Sequence, residues 1–237
     1  MQIALPFTYT PKFEELDFVA APSNAIARAW VLEPEAFTRW PDGRMVLWGE
    51  SGTGKTHLLS IWAKRHGVSV IQGNELQESD VATIFNVDFD GGTHLEEMRA
   101  VVLDNADCVT KEQNLLHLIN LAREYQVPLL MAARQPPARW SVGLPDLQSR
   151  LRATSSVAID PAEEYLLYRL LLRLLAERQL VVAHQVILWL LCRIPRRASA
   201  VCACVALLDQ MVMAEGGVVT RALAARALEH LGVSYEV

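Results

Sequence analysis

Gly49-Glu50-Ser51-Gly52-Thr53-Gly54-Lys55-Thr56, read directly after the apolar run Met45-Val46-Leu47-Trp48, decides the architecture of this chain. The octet has the form G-x-x-x-x-G-K-T, and its setting predicts a buried strand, a glycine-rich turn and a helix beginning at Lys55. Such a turn aims successive backbone N–H groups at a polyphosphate, because the first N–H groups of a helix have no partner within it. Gly49, Gly52 and Gly54 let the backbone approach oxygen atoms that a Cβ would keep away. Lys55 offers a cation to the β and γ phosphates, and the Thr56 hydroxyl can join the oxygen shell of a magnesium ion.

Outward from the octet, the chain alternates. Lys55 to His66 has helical apolar spacing at Leu58, Leu59 and Trp62, and Gly67 ends it. Strands are predicted at Val68–Gln72, Ala100–Asp104, Pro128–Ala132 and Thr154–Ile159, with helices over Glu112–Gln126 and Leu144–Leu151 between the later ones. Continuous apolar strands separated by helices imply an α/β fold whose parallel sheet is covered on both faces. Upstream, residues 1–20 read as an extended arm, and a helix runs from Pro22 to Leu32 with Ser23 or Asn24 as its cap. After Pro161 every segment is helical, about 162–178, 183–193, 197–213 and 220–231, which predicts a small helical lid domain over 161–237 beside an α/β domain over 21–160.

Composition narrows the function. Of 237 residues, 51% are hydrophobic and 21% charged, a globular balance, and the formal net charge of -5 supplies no electrostatic footprint for duplex DNA. Strong direct DNA binding is therefore not expected, and protein partners are. Cys108, Cys192, Cys202 and Cys204 lack the spacing of a metal site and read as buried, reduced thiols. Met1 to Phe7 has no secretory signal, and Arg169, Arg173, Glu177, Arg178 and His184 interrupt the greasy stretch from Tyr165 to Leu191, so no membrane span is expected there. The expected location is the cytoplasm.

A phosphate loop needs an acid at the end of a neighbouring strand to hold magnesium, and Asp104 follows Val101-Val102-Leu103. Asn105 comes next, where a second acid could orient the attacking water; an amide is no general base, so intrinsic hydrolysis should be slow. The strand ending at Ala133-Arg134 offers no polar sensor at Ala133. Two arginines are better placed. Arg150, at the end of its short helix, could reach a nucleotide held by a neighbouring molecule, and Arg196, in Ile194-Pro195-Arg196-Arg197, could touch the phosphates of its own.

These stretches resemble the AAA+ ATPases, and within them the DnaA-related group. Phe18 to Asn24, including Val19, looks like the family's adenine-contacting box, and Gly54-Lys55-Thr56-His57-Leu58-Leu59 like the DnaA form of the phosphate loop. Leu144 to Leu151 is similar to the box that bears the arginine finger, and Arg193 to Arg196 to the second sensor. The chain stops at Val237, where the lid ends, without the helix-turn-helix that reads origin DNA in DnaA. Between Gly73 and Arg99 it is short and acidic (Glu75, Glu78, Asp80, Asp88, Asp90, Glu96, Glu97), unlike the segment that grips single-stranded DNA in the initiator.

At the other end, Gln2-Ile3-Ala4-Leu5-Pro6-Phe7 resembles the peptide with which bacterial proteins dock onto the DNA polymerase sliding clamp. The combination resembles the Hda family of replication regulators. The resemblance implies a clamp-bound homodimer, loaded with ADP or ATP and magnesium, that offers Arg150 to ATP held by DnaA and so blocks re-initiation. The alternative is an autonomous AAA+ ATPase such as a DnaC-type helicase loader.

Overall fold

The computed structural model describes residues 13–34, 36–85 and 100–232. The peptide Gln2–Phe7 and the acidic residues Asp88, Asp90, Glu96 and Glu97 lie outside them.

Five strands form one parallel sheet: β1 (Arg44–Trp48), β2 (Val70–Gln72), β3 (Val101–Asp104), β4 (Leu129–Ala133) and β5 (Ser155–Ala158), in the order β2-β3-β4-β1-β5. Side chains alternate across β1. Met45 and Leu47 enter a core with α1 (Ala25–Leu32) and α2 (Lys55–His66), while Val46 enters the opposite core with α4 (Glu112–Glu124) and α5 (Pro145–Ala153). Both faces are therefore covered, as continuous apolar strands require. The strand ends move by one or two residues from their sequence-based positions.

Three local expectations are corrected. Pro22–Asn24 forms a separate 3-10 turn before α1, and neither Ser23 nor Asn24 caps that helix. Asn24 instead organises the loop before it: its Oδ1 accepts from Ala21 N at 3.1 Å and its Nδ2 donates to the Val19 carbonyl at 2.9 Å. A helix absent from the sequence reading, α3 (Glu78–Ile84), starts where Asp80 accepts from the Gln77 N–H at 2.8 Å.

The arm, finally, is not simply extended from residue 13 onward. Glu15–Asp17 forms a turn laid against two other elements, with Glu14 paired to Lys64 and Glu15 to Arg65 on α2. On the other side Asp17 pairs with Arg173, 3.0 Å away on α6 (Glu164–Glu177).

Helices α6, α7 (His184–Leu191), α8 (Ala198–Glu215) and α9 (Arg221–His230) share a core of their own, centred on Leu171, Leu190, Val205, Leu208 and Ala224. Thr220 caps α9 by accepting from Leu223 N at 3.2 Å, a bond worth about 1 kcal/mol. The stretch from Tyr165 to Leu191 is thus two helices, each with one buried face. Among the described residues α8 alone is long and apolar enough to cross a membrane, and here its Val201, Cys204, Val205, Leu208 and Met211 pack inside the bundle. The thiols depart from expectation: Cys108, Cys192 and Cys202 are exposed, and only Cys204 is buried, its pKa pushed up to about 12 by loss of water.

Candidate nucleotide site

The strand-turn-helix predicted from the octet puts the loop 49–54 between β1 and α2, with Gly52 and Gly54 at positive φ (83° and 100°). At both glycines the space is also taken. A Cβ on Gly52 would lie 2.8 Å from Ser199 Oγ, and one on Gly54 would lie 3.3 Å from the Phe18 ring. Gly49 N donates to the Ala133 carbonyl, which ties the loop to the end of β4.

Lys55 is folded under the loop. Its ammonium donates to the carbonyls of Gly49 and Glu50, both at 2.7 Å, and burial holds its pKa below the usual lysine value, with Asp104 and Asp107 opposing. Thr56 Oγ1 donates to Asp104 Oδ2 at 2.7 Å, so the hydroxyl and the carboxylate sit side by side, the latter only 2% exposed. Two hard oxygen donors at that spacing suit magnesium, with water and phosphate filling the remaining octahedral positions. Asn105 sits in the left-handed region (φ 52°) and donates from Nδ2 to Gln72 Oε1 at 3.0 Å, so its amide is engaged with β2. Ala133 is buried at the end of β4, while Arg134 is exposed and its backbone N–H donates to Asp107.

A cavity of about 80 Å³ opens beside the loop, bounded by Val19, Ser23, Asn24, Gly54 and His57 and closed by the helical bundle through Leu166 and Ala198. Val19 and His57, which the sequence placed at the nucleotide, therefore meet on its wall. Arg196 does not line it. Its side chain is 78% exposed and stands 3.7 Å from Glu164. Ser199, the second residue of α8, is the bundle residue found against Gly52; its single hydroxyl carried no signal in the sequence.

His57 is the centre of a second cluster. Phe13 packs against it tilted and Phe18 edge-on, ring centroids 5.2 and 5.1 Å away, and its Nε2 lies 2.9 Å from the Glu14 carbonyl. Burial depresses its pKa, the Glu14 bond opposes, Arg173 lowers it further and Asp17 raises it. The folded state thus binds this proton less readily than the unfolded chain, and stability contributed above the ordinary imidazole value is lost as pH falls through the folded one. His57→Gln is expected to flatten the decline in melting temperature between neutral and mildly acidic pH. A decline as steep as the parent's would assign it to other groups.

Arg150 lies elsewhere. It is half-buried in the last turn of α5, one turn before Thr154, whose Oγ1 donates to the Arg150 carbonyl at 2.8 Å. In the sheet Met45 registers with Ser155, so this turn stands beside Arg44 at the start of β1. The phosphate loop leaves the other end of that strand, about 16 Å away. A cavity of about 900 Å³ is also at this far edge, between Phe37, Trp40, His66 and Tyr125.

No protein-family model matches the chain, and no curated protein sequence does. Solved structures do. Domain III of the Thermotoga maritima replication initiation protein DnaA aligns over 94% of this chain and 98% of its own, with a TM-score of 0.74 and 16% identity. The replication initiator DnaA bound to AMPPCP and single-stranded DNA aligns over 94% of this chain and 69% of its own (TM-score 0.62, 20% identity). The Thermotoga maritima RuvB Holliday junction branch migration motor aligns over 79% and 61% (TM-score 0.58, 17% identity). The chain therefore shares the α/β fold of these DnaA and RuvB structures, with its helical C-terminal part included.

Proposed function

We propose that the chain is a nucleotide-loaded regulator of replication initiation that makes DnaA hydrolyse its ATP. In this reading ADP or ATP lies along Gly49, Gly52, Gly54, Lys55 and Thr56, with its base in the cavity walled by Val19 and His57. Lys55 exchanges its two loop carbonyls for phosphate oxygens, and Thr56 with Asp104 holds magnesium. Arg196 joins the phosphates by leaving Glu164, an exposed pairing worth at most about 1 kcal/mol. Hydrolysis of this resident nucleotide is slow, because Asn105 is no base and is occupied by Gln72.

One observation carries the regulatory reading. Arg150 stands at the opposite end of β1 from its own phosphate loop, farther than an arginine side chain reaches, so the phosphate it can serve belongs to another molecule. Gln2, Ile3, Leu5, Pro6 and Phe7 supply the docking peptide for the sliding clamp, Leu5 and Phe7 filling an apolar pocket, and the working unit is a homodimer. The partner proposed is DnaA, to whose domain III this chain is similar in fold.

The test mixes the full chain with clamp-loaded DNA and ATP-bound DnaA and follows ADP formation. Accelerated hydrolysis that depends on the clamp, and clamp affinity lost on deleting residues 1–7, are the expected results. Steady ATP turnover by the chain alone, with DnaA unaffected, would instead make it an autonomous ATPase.

A further inference from the structure

Arg44 is 1% exposed, at the first position of β1. Sharing its face with Val46, it points into the side of the sheet covered by α4 and α5. Its Nη2 donates to Asp42 Oδ2 at 2.9 Å, but its Nε and Nη1 are buried without a partner. Buried guanidiniums are ordinarily paired on most of their five N–H groups, because an unmet charge in the interior is costly. Here burial pushes the pKa below the usual guanidinium value, Asp42 opposes, and Arg150 and Arg123 press it further down.

The two arginines come from two helix ends. Arg150 closes α5 beside Thr154, and Arg123 closes α4 in the turn leading to Leu129, which registers with Arg44 itself. Three arginines thus come from three elements to the far edge of the sheet, and among the described residues the one ion pair that any of them makes is Arg44 with Asp42. Because Arg44 holds Asp42, neither Arg123 nor Arg150 has an ion-pair partner there. Arg123 is exposed and also lines the 900 Å³ cavity. A concentrated positive edge on a chain of net charge -5 calls for a strongly anionic occupant.

We infer that Arg123, Arg150 and Arg44 form one composite site for the triphosphate of a nucleotide held by a partner AAA+ subunit. Arg150 reaches the transferred phosphoryl group, Arg123 draws in and holds the outer phosphates, and Arg44 acts from below as a positioning residue. By occupying Asp42 and repelling its neighbours, Arg44 keeps the exposed Arg123 and the half-buried Arg150 turned toward the incoming anion instead of folded onto the protein. The inference rests on the trans-acting reading of Arg150 and extends it to two residues with no part in that reading.

The test measures single-turnover ATP hydrolysis by DnaA, with clamp-loaded DNA present, against concentration of the full chain, at several ionic strengths, together with melting temperatures. Arg123→Ala is expected to raise the concentration for half-maximal stimulation about ten-fold and to flatten its salt dependence, as loss of a steering charge does. Arg44→Met is expected to lower the stimulated rate about ten-fold while its melting temperature holds or rises, because it removes an incompletely paired buried charge. A merely structural arginine would show the reverse.

If Arg150→Ala abolishes stimulation while Arg123→Ala and Arg44→Met match the parent in rate and salt dependence, the composite site is wrong and the trans-acting reading stands. If Arg150→Ala itself stimulates normally, that reading fails. Should Arg44→Met melt early, the salt dependence of Arg123→Ala decides alone.

Discussion

Arg150→Ala is expected to cost nearly all stimulation of the partner's hydrolysis, a fall of about 10³ to 10⁵ in rate if the residue is the finger. The size follows from where charge develops. The transferred phosphoryl group loads negative charge onto its outer oxygens, and a guanidinium already in place meets that charge without reorganisation, in a contact from which water is excluded. Arg150 suits that role because it is half-buried at the end of a short helix and anchored through its own carbonyl to Thr154. Its guanidinium has no carboxylate to leave among the described residues. Arg150→Lys is expected to recover little, since a point ammonium cannot span two phosphate oxygens as a planar fork does. The check is ADP formation under single-turnover conditions with the clamp present. Parental rates from Arg150→Ala would sink the assignment.

Lys55→Ala is expected to weaken binding of ADP and ATP by about 10- to 150-fold, the equivalent of about 1.5–3 kcal/mol for hydrogen bonds to a charged group. The pull on this lysine is already visible. Its ammonium satisfies itself on the Gly49 and Glu50 carbonyls, so a phosphate must displace two short bonds and return stronger, charge-assisted ones. Those bonds also brace the loop, and the variant should lose some thermal stability without any nucleotide. Titration of a fluorescent ADP analogue separates the effects: an affinity within two-fold of the parent's would show that the backbone N–H groups carry phosphate binding by themselves.

The parts of this molecule legible in the sequence were those that local chemistry dictates. The octet 49–56 fixed strand, turn and helix together, because each glycine and the lysine serve the same backbone geometry. Asp104 was readable since a strand-ending acid beside a phosphate loop has few other reasons to sit there, and it is found 2.7 Å from the Thr56 hydroxyl. What escaped was set by tertiary packing. Ser199 is an ordinary serine until α8 brings it against Gly52, and α3 is only seven residues long, too short for periodicity to reveal. Arg44 lies just outside the apolar run Met45–Trp48 and carries no signal of its own, and only the convergence of α4 and α5 gives it charged neighbours. Arg196 differs in the opposite direction, for its motif was clear while its side chain stands in solvent beside Glu164.

Residues 13–18 touch the first turn of α2 through His57, its last turns through Lys64 and Arg65, and the helical bundle through Arg173. A segment with such contacts makes two events share one free energy: fixing the bundle over the nucleotide, and fixing the chain that leads to residue 13. Thermodynamic linkage requires that sharing to be symmetric. Any factor by which bound nucleotide tightens the grip of the first dozen residues on their target must reappear, equal in size, as a tightening of the nucleotide when that target is bound. A partner engaged at one end of this chain would therefore be felt, without direct contact, as a longer residence of the nucleotide at the other.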